Sequence, residues 1–229
     1  MRFSPGKARR ARSINAVAAG RLPIDVKLAL AADVYREAGL PMHARITPFS
    51  MPARLDAHLE AEGWSAIEDT HVMVRAASAA RDAQPVRPDP AGLRWIPLDA
   101  ATFADAVGAL RGSSAVERAA HAERLRLSPT PYRGYAFVDA ESGTVRACGQ
   151  FAREGALVGI YDVFTAPAQR GVGLATLLCE RMLSILLNEG AEIAYLQVSA
   201  SNSPARRIYE RLGFADGYDY HYRVPKGVP

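Results

Sequence analysis

Between Ala156 and Asn188 the chain passes from an apolar β-like run through a proline and a glycine-rich turn straight into a long helix. The helix pattern covers about Val172 to Asn188, with Leu174, Leu177, Leu178, Met182, Ile185 and Leu186 at helical spacing and Gly190 at its end. A helix with one apolar stripe needs a surface to lie on, and the strand-like run before it supplies a sheet. The turn, Asp162-Val-Phe-Thr-Ala-Pro-Ala-Gln-Arg-Gly-Val-Gly-Leu-Ala175, is an anion cradle in physical terms. Gly171 and Gly173 allow close backbone approach, the first-turn N–H groups and helix dipole favour negative charge, and Arg170 adds a fixed cation.

The flanking segments extend this sheet. Leu93–Leu98 reads as a strand and Thr102–Arg111 and Ala115–Leu127 as helices, the second stopped by Ser128-Pro129. Tyr135–Asp139, Val145–Ala152 and Ala156–Phe164 read as strands separated by Gly143 and Gly155. Ile193–Ser199, Pro204–Leu212 and the aromatic tail Phe214–Val224 then read as strand, short helix and final strand. The fold class is α/β (α+β), with helices flanking a mixed sheet.

Residues 76–92, AASAARDAQPVRPDPAG, hold three prolines and no hydrophobic periodicity, which marks a linker. The expected organisation is an N-terminal lobe over 1–75, a linker over 76–91 and a larger domain over 92–229. The smaller α/β lobe reads as a partial repeat. Pro52-Ala53-Arg54 recurs as Pro204-Ala205-Arg206, and Gly63-Trp64 as Gly213-Phe214. A helix from Ile24 to Ala38 ending at Gly39 mirrors the one ending at Gly190, and Ala44–Thr47 mirrors Leu196–Ser199.

Composition narrows the function classes. Of 229 residues, 49% are hydrophobic and 23% charged, ordinary for a chain with a packed core. The net charge of +4 suits a phosphate-bearing ligand but is too small to argue nucleic-acid binding. Arg2, Lys7, Arg9, Arg10 and Arg12 form a basic run that reads as a frayed, solvated terminus. Cys148 and Cys179 sit in apolar stretches without metal-ligand spacing, as buried, reduced thiols would, and no metal site is expected. With no apolar leader or membrane-length segment, the expectation is a cytoplasmic protein without a membrane partner.

Three readings compete for the glycine turn. A P-loop needs Gly-Lys-Ser/Thr, which is missing. A dinucleotide fingerprint needs a small residue where Thr176 stands, in a unit that begins the domain. The third is a plain strand-to-helix turn. The surrounding residues change the balance: Arg170-Gly-Val-Gly-Leu-Ala175 is followed by Asn202, and NSPARRIYERLGF carries Tyr209 ahead of Gly213-Phe214. Together these resemble the GNAT superfamily of N-acetyltransferases, in element order from about Leu93 to Val224 and specifically from Ile160 to Phe214. The resemblance implies a GNAT-like, mostly antiparallel central sheet flanked by helices.

It also implies acetyl-CoA as co-substrate and direct transfer of acetyl to a primary amine through a tetrahedral intermediate. Arg170, Gly171, Val172, Gly173, Leu174 and Ala175 would hold the pyrophosphate. Val163, Phe164 and Thr165 would pair with the pantetheine arm, where a backbone N–H can polarise the thioester carbonyl. Asn202 is implied as a further coenzyme contact. Tyr209 corresponds to the general acid that protonates the leaving thiolate. For the base, Asp162 beside the thioester position is the first candidate; Glu154 reads as an exposed hairpin residue and His121 as a surface helix residue.

Projected back through the repeat, the glycine turn falls on Ala19–Ile24, AGRLPI, without the glycine pair, and Tyr209 falls on Ala57. The N-terminal lobe therefore reads as a degenerate GNAT relative that packs on the catalytic domain, walling the acceptor site or making a homodimer contact. A non-catalytic acyl-CoA sensor is the alternative function, and a nucleic-acid-associated protein is the weakest. The acceptor, a small-molecule or peptide amine, is not legible.

Overall fold

The computed structural model describes residues 9–77 and 87–227. In chain order the elements are β1 (Ile14–Asn15), α1 (Ile24–Glu37), β2 (Ala44–Ile46), α2 (Leu55–Ala61), β3 (Ser65–Ala76), β4 (Leu93–Leu98), α3 (Ala100–Arg111), α4 (Ala115–Arg126), β5 (Tyr132–Asp139), β6 (Val145–Glu154), β7 (Leu157–Thr165), α5 (Leu174–Asn188), β8 (Ile193–Ser199), α6 (Ser203–Arg211) and β9 (Ala215–Val224). Among the described residues no helix is long and apolar enough to cross a membrane.

Two compact units form: one from residues up to 72 with 199–201 and 217 onward, the other from 73–198 with 202–216. This differs from a division along the chain at the proline-rich segment. The last strand, β9, gives most of its length to the first unit, where it pairs antiparallel with β2 from Ala44↔Arg223 to Ile46↔His221. Residues 78–86 of the expected linker lie outside the described residues. Beyond them Arg87 and Asp89, both exposed, pair with Glu180 and Arg181 of α5.

In the larger unit the strands stand in the order β8-β7-β6-β5-β4. Neighbours from β4 to β7 are antiparallel, and β7–β8 is parallel. β6 is buried over Ala147–Ala152 because both faces are covered. On one face lies α5, whose Leu178, Met182 and Leu186 are fully buried in a cluster with Phe137, Phe151 and Leu196. On the other, Phe103 and Val107 of α3 and Leu125 of α4 pack on Ala136 and Cys148. Gly134 permits that contact: a Cβ there would come within 2.6 Å of the Phe103 ring.

Helix starts follow their caps. Asp99 accepts from the Thr102 amide at 2.8 Å and begins α3 two residues before the hydrophobic period alone would. Ser114 and Glu117 make a reciprocal capping box at α4. Cys148 and Cys179 are free, and burial pushes both thiols up to about 12.

The first unit has strand order β1-β2-β9-β3 and a small core of Ile24, Ala44, Ile46, Leu55 and Leu59. Its α1, β2, α2 and β3 follow the order of α5, β8, α6 and β9, and α1 and β3 start 150 residues before α5 and β9. The expected solvated terminus is corrected from Arg9 onward. Arg9 pairs with Glu68 and reaches His43 Nε2 at 3.3 Å, and Ser13 is fully buried. Asp56 Oδ1 accepts from Arg223 Nε at 2.7 Å and lies 3.0 Å from His221 Nε2. The Arg223 hydrogen bond, aided by His221 and opposed by burial, holds the Asp56 carboxyl below the usual carboxylate range.

A depressed folded-state value means Asp56 contributes stability above the unfolded value of about 4, lost as pH falls through the folded one. Asp56→Asn removes that contribution. Urea midpoints measured from about pH 6 down to about pH 3 are expected to fall more steeply for the wild type than for the variant.

Candidate functional site

A slip in strand register creates the site. Cys148 pairs with Phe164 and Gln150 with Tyr161, so β7 spends Asp162 and Val163 against the single residue Gly149 of β6. Asp162 takes a left-handed φ of 53°, a conformation aspartate tolerates better than most residues. Gly149 leaves room for the kink, since a Cβ there would sit 2.9 Å from Leu178 and 3.3 Å from Val163. On its other side β7 pairs with β8 only through Leu157–Ile160 and Ile193–Leu196. Past that point the two parallel strands part, and Val163, Phe164 and Thr165 turn an unpaired edge toward a cleft.

The glycine turn closes one end of this cleft. Gly171 and Gly173 have φ of 82° and 86°, and a Cβ on either would meet nothing within 4 Å. Their glycines are therefore required by backbone conformation rather than by space. Gly173 caps α5 without any side-chain hydrogen bond, and the first turn of α5 has no acidic residue. Its amides thus lack intrahelical partners and face no competing carboxylate.

The cleft measures about 480 Å³. The structure brings together in its wall Val163, Phe164, Thr165, Arg170, Gly171, Gly173, Leu174, Ala175, Asn202 and Tyr209 from the sequence-derived set. Val172 points outward, 67% exposed, so of the turn residues it can offer only its backbone. Asn202 caps α6 by accepting from the Ala205 amide at 3.2 Å. The Arg170 guanidinium lies 5.7 Å from the centre of the Phe164 ring. Thr165 Oγ1 is buried without a hydrogen-bond partner. Tyr209 packs edge-on against Phe214, and burial, with a smaller effect of Cys179, pushes its hydroxyl far above the usual phenol range. It stays protonated at neutral pH.

Asp162 is not in the lining but one residue behind it. Its carboxylate lies 3.0 Å from Arg111 Nη1 and accepts from Gln150 Nε2 at 2.6 Å. The third neighbour is His121, whose Nε2 is 3.6 Å from Oδ2. The expectation of a surface histidine is corrected: α4 turns His121 inward, 14% exposed, with its ring edge-on to Phe103. Sequence reasoning also passed over Arg111 and Gln150. Gln150 was detectable as the single polar side chain in Ala147–Ala152, where a buried amide needs a partner. Glu154 lies exposed at the end of β6, as expected. Among the described residues no group of three or more His, Cys, Asp or Glu could hold a metal.

Residues 104–214 match the family model described as the acetyltransferase (GNAT) family. An uncharacterized N-acetyltransferase of Bacillus subtilis, YobR, is 31% identical over 68 residues, which is 30% of this chain and 28% of that relative. The chain thus matches well under half of that curated relative's length. Among solved structures, a GCN5-related N-acetyltransferase from Kribbella flavida aligns with TM-score 0.64 and 18% identity, over 88% of this chain and 74% of that one. A tandem GNAT protein from the clavulanic acid biosynthesis pathway, solved without AcCoA, aligns with TM-score 0.72 and 17% identity, over 92% and 72%. These likenesses establish a GNAT fold.

Gly173→Ala places a side chain at φ 86°, which costs about 1–2 kcal/mol. Urea denaturation is expected to show a lower midpoint at unchanged slope.

Proposed function

We propose, for a chain whose residues 104–214 belong to the acetyltransferase (GNAT) family, that it transfers an acetyl group from acetyl-CoA directly to a primary amine. The single observation that carries this reading is the gathering of the glycine turn, the unpaired end of β7 and Tyr209 around one cleft.

The residues present fit the coenzyme. Arg170 and the amides of Gly171–Ala175 offer a cradle without opposing carboxylates for a pyrophosphate. The open edge at Val163–Thr165 offers backbone hydrogen bonds to an extended amide-bearing arm, as an added strand would, and Thr165 Oγ1 is an orphan in that wall. Asn202 lies across the cleft as a further contact. Bound acetyl-CoA supplies the activated acetyl thioester. A backbone N–H of Val163–Thr165 polarises its carbonyl. Tyr209, kept neutral, donates to the departing sulfur; its raised value makes it a hydrogen-bond donor first and a proton donor only as charge builds. Asp162 places negative charge on the acceptor side and draws an ammonium in. The N-terminal unit, over roughly residues 1–75 in chain terms, is a GNAT-like relative that has lost its own coenzyme grip.

Calorimetric titration with acetyl-CoA is expected to show saturable binding by the wild type and none by an Arg170→Glu, Gly173→Glu double variant. Tyr209→Phe is expected to keep that binding and to lower thiol release with a panel of primary amines by about 10²-fold. Binding without turnover of any amine would favour an acyl-CoA sensor, and no binding by the wild type would overturn the proposal.

A further inference from the structure

Transfer to an amine requires a proton acceptor, because an alkylammonium has no lone pair with which to attack. Asp162 is a carboxylate one residue from the cleft wall, yet its surroundings oppose that task. Arg111 at 3.0 Å and the Gln150 amide at 2.6 Å both stabilise its ionised form. A carboxylate held by a guanidinium and an amide is a weaker base than the free group, whose value is already only about 4. His121 is the third member of the cluster and a titratable one. It reaches the cluster from α4, while Asp162 comes from β7, Gln150 from β6 and Arg111 from the last turn of α3.

Resting on the acetyl-transfer reading above, we propose that His121 accepts the proton of the acceptor amine and that Asp162, fixed by Arg111 and Gln150, is its positioning counter-charge. The ammonium gives one proton to the imidazole. The freed nitrogen lone pair forms the N–C bond as the carbonyl π pair moves onto oxygen. The tetrahedral intermediate then collapses, the C–S bond breaks, and the sulfur leaves with the electron pair and takes a proton from Tyr209. The nitrogen's second proton restores the Tyr209 hydroxyl, leaving amide, thiol and an imidazolium that returns its proton to solvent.

Four features support this division of labour. The two side chains are 14% and 13% exposed, so their attraction is only weakly screened by water. At 3.6 Å the pair is longer than a hydrogen bond, and such pairs in ligand-free sites shorten when substrate is bound. Asp162 occupies its left-handed backbone position inside the bulge, one residue from the cleft wall, and a strained position of this kind is characteristic of a working site. The Arg111 guanidinium, 5.6 Å from the centre of the Phe164 ring, ties the cluster to a residue of the cleft wall.

Several groups beside the cluster are neutral or paired elsewhere. Phe103 of α3 presents a ring at 6.3 Å, and Cys148 of β6, lying near Arg111 and Asp162, stays a neutral thiol because burial pushes it up to about 12. On α4 itself Arg118 is turned to Asp105 at 3.7 Å and Arg126 to Glu123.

The test uses the full chain, His121→Gln and Asp162→Asn, with acetyl-CoA titration of each as the check of folding. The chain has five histidines, so the His121 imidazole signal in NMR spectra is the one missing from His121→Gln. That signal is expected to titrate in the wild type and to move its midpoint to lower pH in Asp162→Asn, where the counter-charge is gone. With the amine that turns over fastest in the panel, His121→Gln is expected to lose about 10²-fold in kcat/KM and the acid limb of its pH profile, at unchanged acetyl-CoA affinity. A His121→Gln enzyme within about threefold of wild type with the same acid limb overturns the proposal and leaves acetyl transfer standing. So does a His121 midpoint indifferent to Asp162→Asn. Absence of acetyl-CoA binding by the wild type overturns both.

Discussion

The parting of β7 from β8 after the Ile160↔Leu196 pair is the constraint on which the rest of the larger unit depends. A parallel ladder that stops inside a sheet leaves backbone N–H and C=O groups without partners, and such groups need water, side chains or a ligand. Three features arrange for a ligand to meet that need. The bulge at Asp162 and Val163 turns β7 away, Gly149 makes room for it, and α5 is seated below by Leu178 and Met182 so that its first turn meets the opening. The same bulge carries Asp162 to the other face of the strand, toward α3 and α4. One irregularity of backbone thus shapes two separate places, the open edge along the cleft and the charged cluster around Asp162.

Much of this was legible in the sequence for identifiable reasons. Leu93–Leu98 and Ile193–Ser199 form as their patterns indicate, because apolar runs bounded by turn residues leave few alternatives. The glycine turn was legible because two glycines before a long apolar helix have few other uses. What stayed hidden is what depends on pairing. β3 is a twelve-residue strand in which Glu68, Asp69, Thr70 and His71 break the apolar pattern, and Glu68 has φ 56°. The His121–Asp162–Arg111 cluster joins residues from three elements, and no local pattern marks it. One legible signal went unread: Asp69-x-His71 recurs as Asp219-x-His221 at the same 150-residue spacing, and His71 Nδ1 meets Asp219 Oδ1 at 2.6 Å.

The segments that lead into α1 and α5 differ in what they leave open to an anion. Before α5 the turn is open, and the helix starts from a left-handed glycine with bare amides. Before α1 the corresponding residue is Pro23, which removes a donor, and the Lys27 ammonium folds back onto the Ala19 carbonyl beside Gly20. The place an anion would take is filled by the chain's own cation. An equal element order is therefore compatible with unequal function, because binding resides in the turn and not in the strands.

The location of β9 has a consequence for biosynthesis. In the first unit β2 is completed by a strand made much later in the chain, pairing Ala44 with Arg223. Until then β2 has only the two residues of β1 on one side and an open edge on the other. The nascent segment that carries β2 must therefore remain unaggregated, or be shielded by a chaperone, until β9 has been made. Rare codons or a stalled ribosome between the codons for β2 and those for β9 would lengthen that exposure without altering a single residue of the product.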